Sequence, residues 1–263
     1  MEPVRPITFG DDSIHSIEER LKWQTRRLGL PRPPGPWRGY TMVDDAKGIA
    51  TYCGEDYPDG DDDEIKCPYG KPGDVLWVRE AWAPVPRPPV RAGVYHNKCI
   101  ANPDGSDYRQ AEPKIKGVTW RAAWLANPSG YKWKSPRYMP KWATRMHIRI
   151  ERIRVELLKN ISEKDAKAEG IKGKGKVWYG PADKHDHLRV FTTAKEAFAS
   201  GWDAINAKRN PPKVFVYEKG KSRIAGWKDR QETPTLPWCT WNANDWTWVI
   251  DFSLVWLYGS PKE

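Results

Sequence analysis

Every second residue from Trp246 to Trp256 is large and apolar: Trp246, Trp248, Ile250, Phe252, Leu254 and Trp256. A repeat of two held over this length fits an extended strand and no helix. A second alternating run lies at 145–158, where Met146, Ile148 and Ile150 are separated by charged residues. Its phase then slips, with Ile153, Val155 and Leu157 on the opposite parity. A bulge or bend is therefore predicted near Glu151 and Arg152. A long strand that bends suits a barrel wall better than a flat sheet.

The remaining elements are shorter. Ile7–Phe9 reads as a first strand, and a helix is predicted from Ser16, with Glu19 in capping-box position and Ile17 and Leu21 on one face. Lys22–Leu28 can continue that helix or turn into a strand. Residues 31–66 read as loop, rich in proline and then acidic, with carboxylate spacing wrong for an EF-hand. After the Pro72-Gly73-Asp74 turn, Val75–Val78 is a short apolar strand. Residues from 84 to about 140 read as an irregular insertion with a hairpin or two. Ser162 caps a short helix with Asp165 at its third position, and Gly170 ends it. Thr193 and Glu196 open a longer helix whose face is Phe198, Trp202 and Ile205. In 208–238 one strand is predicted, Val214–Tyr217.

This order gives an α+β chain with a mostly antiparallel sheet rather than a βαβ repeat. No P-loop, GxGxxG or internal repeat is present in the sequence. The formal charge is +10, unevenly spread. Residues 1–66 hold 9 Lys/Arg against 14 Asp/Glu, whereas 132–176 hold 14 against 5. Such a basic stretch attracts phosphate without reading sequence, and equally serves as a solvated surface. The 16 tryptophans bear on the choice, because several sit among basic residues, as in Lys132-Trp133-Lys134 and Lys141-Trp142. Indole faces stack on unpaired bases while neighbouring cations hold the backbone. Trp133 and Trp142 are the surface candidates; Trp77, Trp202 and Trp248 read as core.

Cys53, Cys67, Cys99 and Cys239 form no CxxC pair and read as reduced thiols. No metal or other cofactor is expected. No run of about 18 apolar residues is present, and the N-terminus lacks a secretory signal, so a soluble cytoplasmic protein is expected (in the host cytoplasm if phage-encoded).

Five pieces together resemble the ASCH domain family of the PUA-like superfamily, and in particular its larger phage and prophage members. They are Lys22-Trp23-Gln24-Thr25-Arg26-Arg27, CPYGKPGDVLWVREAW at 67–82, WKSPRYMPKWATRM at 133–146, IRVELLKNISEKDAKAEGI at 153–171, and GWDAIN at 201–206 with NANDWTWVIDF at 242–252. The resemblance implies a single PUA-like domain over 1–263, a mostly antiparallel β-barrel with flanking helices and a cleft for a nucleotide. Its core segments are approximately 5–30, 67–83, 133–172, 191–207 and 239–257, with insertions at 31–66, 84–132, 173–190 and 208–238. Recognition of RNA, or of modified bases in DNA, is the activity it implies.

Some small members of the family are amidohydrolases acting on acetylcytidine. Their Lys-x-x-Thr motif and downstream Glu fall on Lys22, Thr25 and Glu169. On that reading Lys22, its pKa lowered by Arg26, Arg27 or burial, deprotonates the Thr25 hydroxyl for attack on an amide, and Glu169 passes a proton to the leaving amine. A strand at 22–27 would put Lys22 and Thr25 on opposite faces, whereas a helix would put them on one. The alternative is binding without turnover. Lys22, Arg26 and Arg27 then hold anions, Thr25 donates a hydrogen bond, and Glu169 pairs with a cation. Glu80, just past a strand end, either accepts from a base edge or pairs with an Arg. Arg145 contacts phosphate or orients a carboxylate such as Glu80, and Trp142 stacks.

Three functions are open at this point: a nucleic-acid-binding module, an amidohydrolase on a modified pyrimidine, and a phage accessory protein binding a host protein.

Overall fold

The computed structural model describes residues 5–30, 39–53, 64–84, 99–100, 118–120, 132–180, 189–206, 214–218, 221–225 and 239–257. In chain order these form β1 (Arg5–Thr8), α1 (Asp11–Glu18), β2 (Gln24–Arg27), β3 (Gly39–Asp44), β4 (Ile49–Cys53), β5 (Ile65–Lys66), β6 (Val75–Arg79) and β7 (Trp82–Pro84). There follow β8 (Cys99–Ile100), β9 (Val118–Trp120), β10 (Met146–Leu157), α2 (Glu163–Ala168), β11 (Gly173–Lys174), β12 (Val177–Tyr179) and β13 (Val190–Phe191). The chain continues through α3 (Ala194–Asn206), β14 (Val214–Glu218), β15 (Lys221–Ala225) and β16 (Trp246–Leu257). Two compact units are distinguished. One comprises Met1–Arg20, Asp74–Arg149 and Ser253–Glu263, the other Leu21–Gly73 and Ile150–Phe252. Strands β10 and β16 contribute residues to both.

In the first unit β1 runs parallel to β6, with Ile7 opposite Val78. Strand β10 runs antiparallel to β6, with Ile148 opposite Leu76. Ile7, Leu76, Val78, Met146 and Ile148 are all buried, as the alternation in these segments requires. Helix α1 begins at Asp11, five residues before the predicted start at Ser16. Asp11 and Asp12 occupy its first turn, where carboxylates favour the helix dipole. Ile14 and Ile17 form its buried face, and Leu21, past the helix end, is 42% exposed. A small sheet, β7-β9-β8, occupies part of the expected irregular insertion.

In the second unit β2 pairs antiparallel to β16, with Ile250 opposite Thr25. The ambiguous segment is thus a strand. Strand β16 is buried on both faces at its centre, since Thr247 and Val249 are as enclosed as Trp248 and Ile250. Along β10 the buried parity changes at the predicted place: Ile150 and Ile153 are buried and Glu151 and Arg152 between them are exposed. The stretch expected to be loop holds a sheet, β3-β4-β5, with a register shift between Met42 and Asp44. Residues 54–63, with most of the acidic run, lie outside the described residues. A second strand, β15, completes a hairpin with the expected β14.

Helices α2 and α3 begin as their caps predict. Ser162 Oγ accepts from the Asp165 amide, and Thr193 and Glu196 exchange capping hydrogen bonds. Phe198 and Trp202 join Leu158, Ile161, Ala166 and Ala194 in one core. Ile205 is 70% exposed instead of extending that face. One turn beyond Trp202 the buried residue is Asn206, whose amide donates to the Trp202 carbonyl at 3.0 Å.

The chain is therefore mixed α and β with a mostly antiparallel sheet. The strand order is β1-β6-β10 in the first unit and β10-β16-β2 in the second. Neither closes on itself among the described residues, so the expected closed barrel is not seen. Closure would need a second pairing partner for β1 or β2, and among the described residues each has one. Among the described residues no helix is long and apolar enough to cross a membrane, and no group of side chains is placed to hold a metal ion.

Candidate functional site

Strand β2 carries the densest set of candidate residues. The chain is extended from Lys22 to Arg27, so alternate side chains take opposite faces. Lys22, Gln24 and Arg26 share one face. Lys22 makes a single β-bridge with Glu169 at the C-terminal end of α2. Its Nζ donates to Glu169 Oε2 at 2.6 Å and to the Glu169 carbonyl oxygen at 2.7 Å. A carboxylate at a helix C-terminus faces the negative end of the peptide dipoles. Lys22 offsets both charges at once. The pair is buried, and burial pushes the Lys22 amine below its ordinary pKa against the pull of Glu169.

Around this pair lies a wider network. Gln24 Nε2 donates to Asp165 at 2.9 Å and to Asp251 at 2.8 Å, and Arg26 donates to the Gln24 side-chain oxygen and to Glu156. Arg154 reaches Glu156, Asp165 and Asp251. Burial opposes the charge of Asp165, but the hydrogen bonds from Gln24 and Ser162 and the charges of Arg26 and Arg154 outweigh it. Its carboxyl is held below the ordinary value. Lys22, Arg26 and Arg154 thus face four carboxylates: Glu156, Asp165, Glu169 and Asp251. Among the described residues this leaves no surplus cation on this face to hold a phosphate. Two buried atoms, Glu169 Oε1 and Arg26 Nε, have no hydrogen-bond partner among the described residues.

Trp23, Thr25 and Arg27 take the other face. The strand therefore separates the two members of the Lys-x-x-Thr motif; Thr25 is buried, its backbone pairs with β16, and its hydroxyl makes no hydrogen bond among the described residues. Trp23 is fixed through its backbone: its amide donates to the Ala168 carbonyl at 3.0 Å, and its carbonyl accepts from the Phe252 amide at 2.8 Å. Trp23 is 46% exposed. Arg27 lies 6.0 Å from the centre of the Tyr69 ring.

Glu80 and Arg145 meet in the first unit. Glu80 is fully buried, and the Arg145 guanidinium grips its carboxylate at 2.8 and 3.0 Å while also bonding Glu18. Burial raises the Glu80 pKa in spite of Arg145. Burial opposes the charge on Arg145, but Glu80 and Glu18 outweigh it and raise its pKa. Of the two uses weighed for these residues, the geometry displays the orienting one. Trp142 is half-buried on a 3-10 turn, Lys141–Ala143.

No family model, curated protein or solved structure matches this chain. The site is therefore read from its own chemistry. Sequence reasoning brought Lys22 to Glu169 and Arg145 to Glu80, but overlooked Gln24, Arg154, Glu156, Asp165 and Asp251. A parity count would have flagged Gln24, which lies between Lys22 and Arg26. Asp165 is marked only as the third residue of the Ser162-capped helix, and nothing local marks the others.

Proposed function

We propose that this protein binds nucleic acid, recognising a base of RNA or of modified DNA at β2, and that it belongs with the PUA-like proteins that its motifs resemble. The observation that carries this reading is Trp23. An exposed indole, held by backbone hydrogen bonds on both sides, is a rigid stacking surface for an unpaired base. Arg27, half-buried on the same strand face, supplies a cation, and Thr25, also on that face, is buried. The network on the opposite face fixes the strand beneath them. The net charge of +10 supplies long-range attraction to phosphate.

The deciding experiment is titration of labelled single- and double-stranded RNA and DNA at several salt concentrations, with the wild type and Trp23→Ala. Salt-dependent binding that weakens by about tenfold or more in Trp23→Ala supports the reading, on the scale of one lost base stack. Absence of binding to every oligonucleotide removes it.

A second reading, amide hydrolysis on a modified pyrimidine, draws on the lowered pKa of Lys22 and its contact with Glu169. A base with its pKa shifted towards neutrality, next to a carboxylate with one spare oxygen, suits proton transfer. The placement of Thr25 on the other strand face weighs against Thr25 as the nucleophile. Acetate release from acetylcytidine, lost in Lys22→Ala, would establish hydrolysis in place of simple binding.

A further inference from the structure

Strands β11, β12 and β13 form a small antiparallel sheet whose two faces differ sharply. Gly173 lies opposite Trp178, and Trp178 opposite Phe191. These residues share the inner face, where Trp178 packs on the core of α2 and α3. The packing is close: a Cβ on Gly173 would come within 2.4 Å of the Trp178 ring. The outer face carries Lys174 opposite Val177 and Tyr179 opposite Val190, with Lys172 beside Tyr179 through the Tyr179 amide to Lys172 carbonyl bond. Val177 is 39% and Val190 61% exposed, and Lys172 and Lys174 are exposed. Lys176 stands at the turn between β11 and β12, next to Gly175 at φ 63°. Residues 172–180 and 189–191 contain no Asp or Glu.

We infer that this outer face is a second nucleic-acid contact, taking single-stranded RNA or DNA. Resting on the reading of the protein as a nucleic-acid binder, it assigns a place to the phosphates that the β2 network has no surplus cation to hold. Tyr179, flanked by Val177 and Val190, gives an aromatic and apolar platform for a base. Lys172, Lys174 and Lys176 border that platform and neutralise the backbone. Lys172 and Lys174, two residues apart on one face, stand about 7 Å apart, since each extended residue advances about 3.3 Å. Three cations gathered around an aromatic, two on the strand face and one at the turn, match a single strand, whose backbone is charged and whose bases are free to stack.

The test compares the wild type with the triple variant Lys172→Gln, Lys174→Gln, Lys176→Gln and with Tyr179→Leu. Probes are short oligouridylate and oligothymidylate, which separate RNA from DNA, and polyglutamate as an acidic polypeptide. Thermal melting checks that each variant folds. The triple variant should lower the slope of log affinity against log salt by about 2, at roughly 0.7 for each lost phosphate contact to a single strand. Tyr179→Leu should weaken binding by about tenfold with the slope unchanged. If the wild type binds oligonucleotides and both variants bind as tightly with the same slope, this inference is overturned while the proposed function stands. If polyglutamate binds more tightly than either oligonucleotide and is lost in the triple variant, the face docks an acidic protein and the assignment is wrong. If the wild type binds no oligonucleotide, both readings fall together.

Discussion

Lys22 Nζ lies 2.6 Å from Glu169 Oε2 and 2.7 Å from the carbonyl oxygen of the same residue, joining the segment that leads into strand β2 to the end of helix α2 across 147 positions of sequence. Breaking such a buried pair from either side leaves one charge uncompensated, at a cost of about 3–5 kcal/mol. Lys22→Met and Glu169→Leu are each expected to destabilise the fold by that amount. The double variant should recover much of the loss, because no buried charge is left. Urea unfolding of all four proteins gives the cycle, and simple additivity of the two losses would show that the pair does not act as a unit.

Glu80 and Arg145 offer a pH-dependent version of the same argument. Glu80 is buried and its pKa is raised even with Arg145 in place. In Arg145→Met the opposing attraction is gone, and burial raises it further. A carboxyl whose folded pKa exceeds its unfolded value stabilises most below the unfolded pKa, about 4.3, and loses that contribution as pH rises through the folded pKa. Arg145→Met should therefore be less destabilised near pH 5 than near pH 8. Equal destabilisation at the two pH values would argue that Glu80 stays charged.

Asp165 behaves in the opposite sense. Its folded pKa is depressed, chiefly by the hydrogen bonds from Gln24 and Ser162 acting against burial. Its contribution is complete above the unfolded pKa of about 3.9 and is lost as pH falls through the folded value. Asp165→Asn should be less stable than the wild type at pH 6, and the gap should narrow below about pH 3.9. Thermal melts across that range would read it, and a constant gap would show that the loss does not depend on the charge of Asp165.

Gly173 leaves no room for a side chain under Trp178. Gly173→Ala should cost about 1–3 kcal/mol, the usual range for overpacking, and should alter the near-ultraviolet circular dichroism of the tryptophans. An unchanged spectrum and melting temperature would mean that Trp178 yields without cost.

The two long strands, the caps of α2 and α3 and the parity change in β10 were legible because each is written within about a dozen neighbouring residues. The start of α1 was misplaced because Ser16 imitates a cap, while the true start rests on Asp11 and Asp12 after Gly10. Sheet β3-β4-β5 was missed because the prolines before it and the acids within it outweighed a short alternation. The same limit governs the site. The sequence held Lys22, Thr25 and Glu169 together as a motif, but left strand or helix open, and only the strand puts Thr25 on the far face from Lys22.

Local chemistry therefore determined the two long strands, the starts of α2 and α3 and where charge accumulates. The tertiary structure alone decided partners. Arg154, Glu156 and Asp251 carry no local mark, and Asp165 is marked only as a cap residue, because an ion pair depends on distance in space, and the chain must fold before residues from 24 to 251 come within 3 Å of one another.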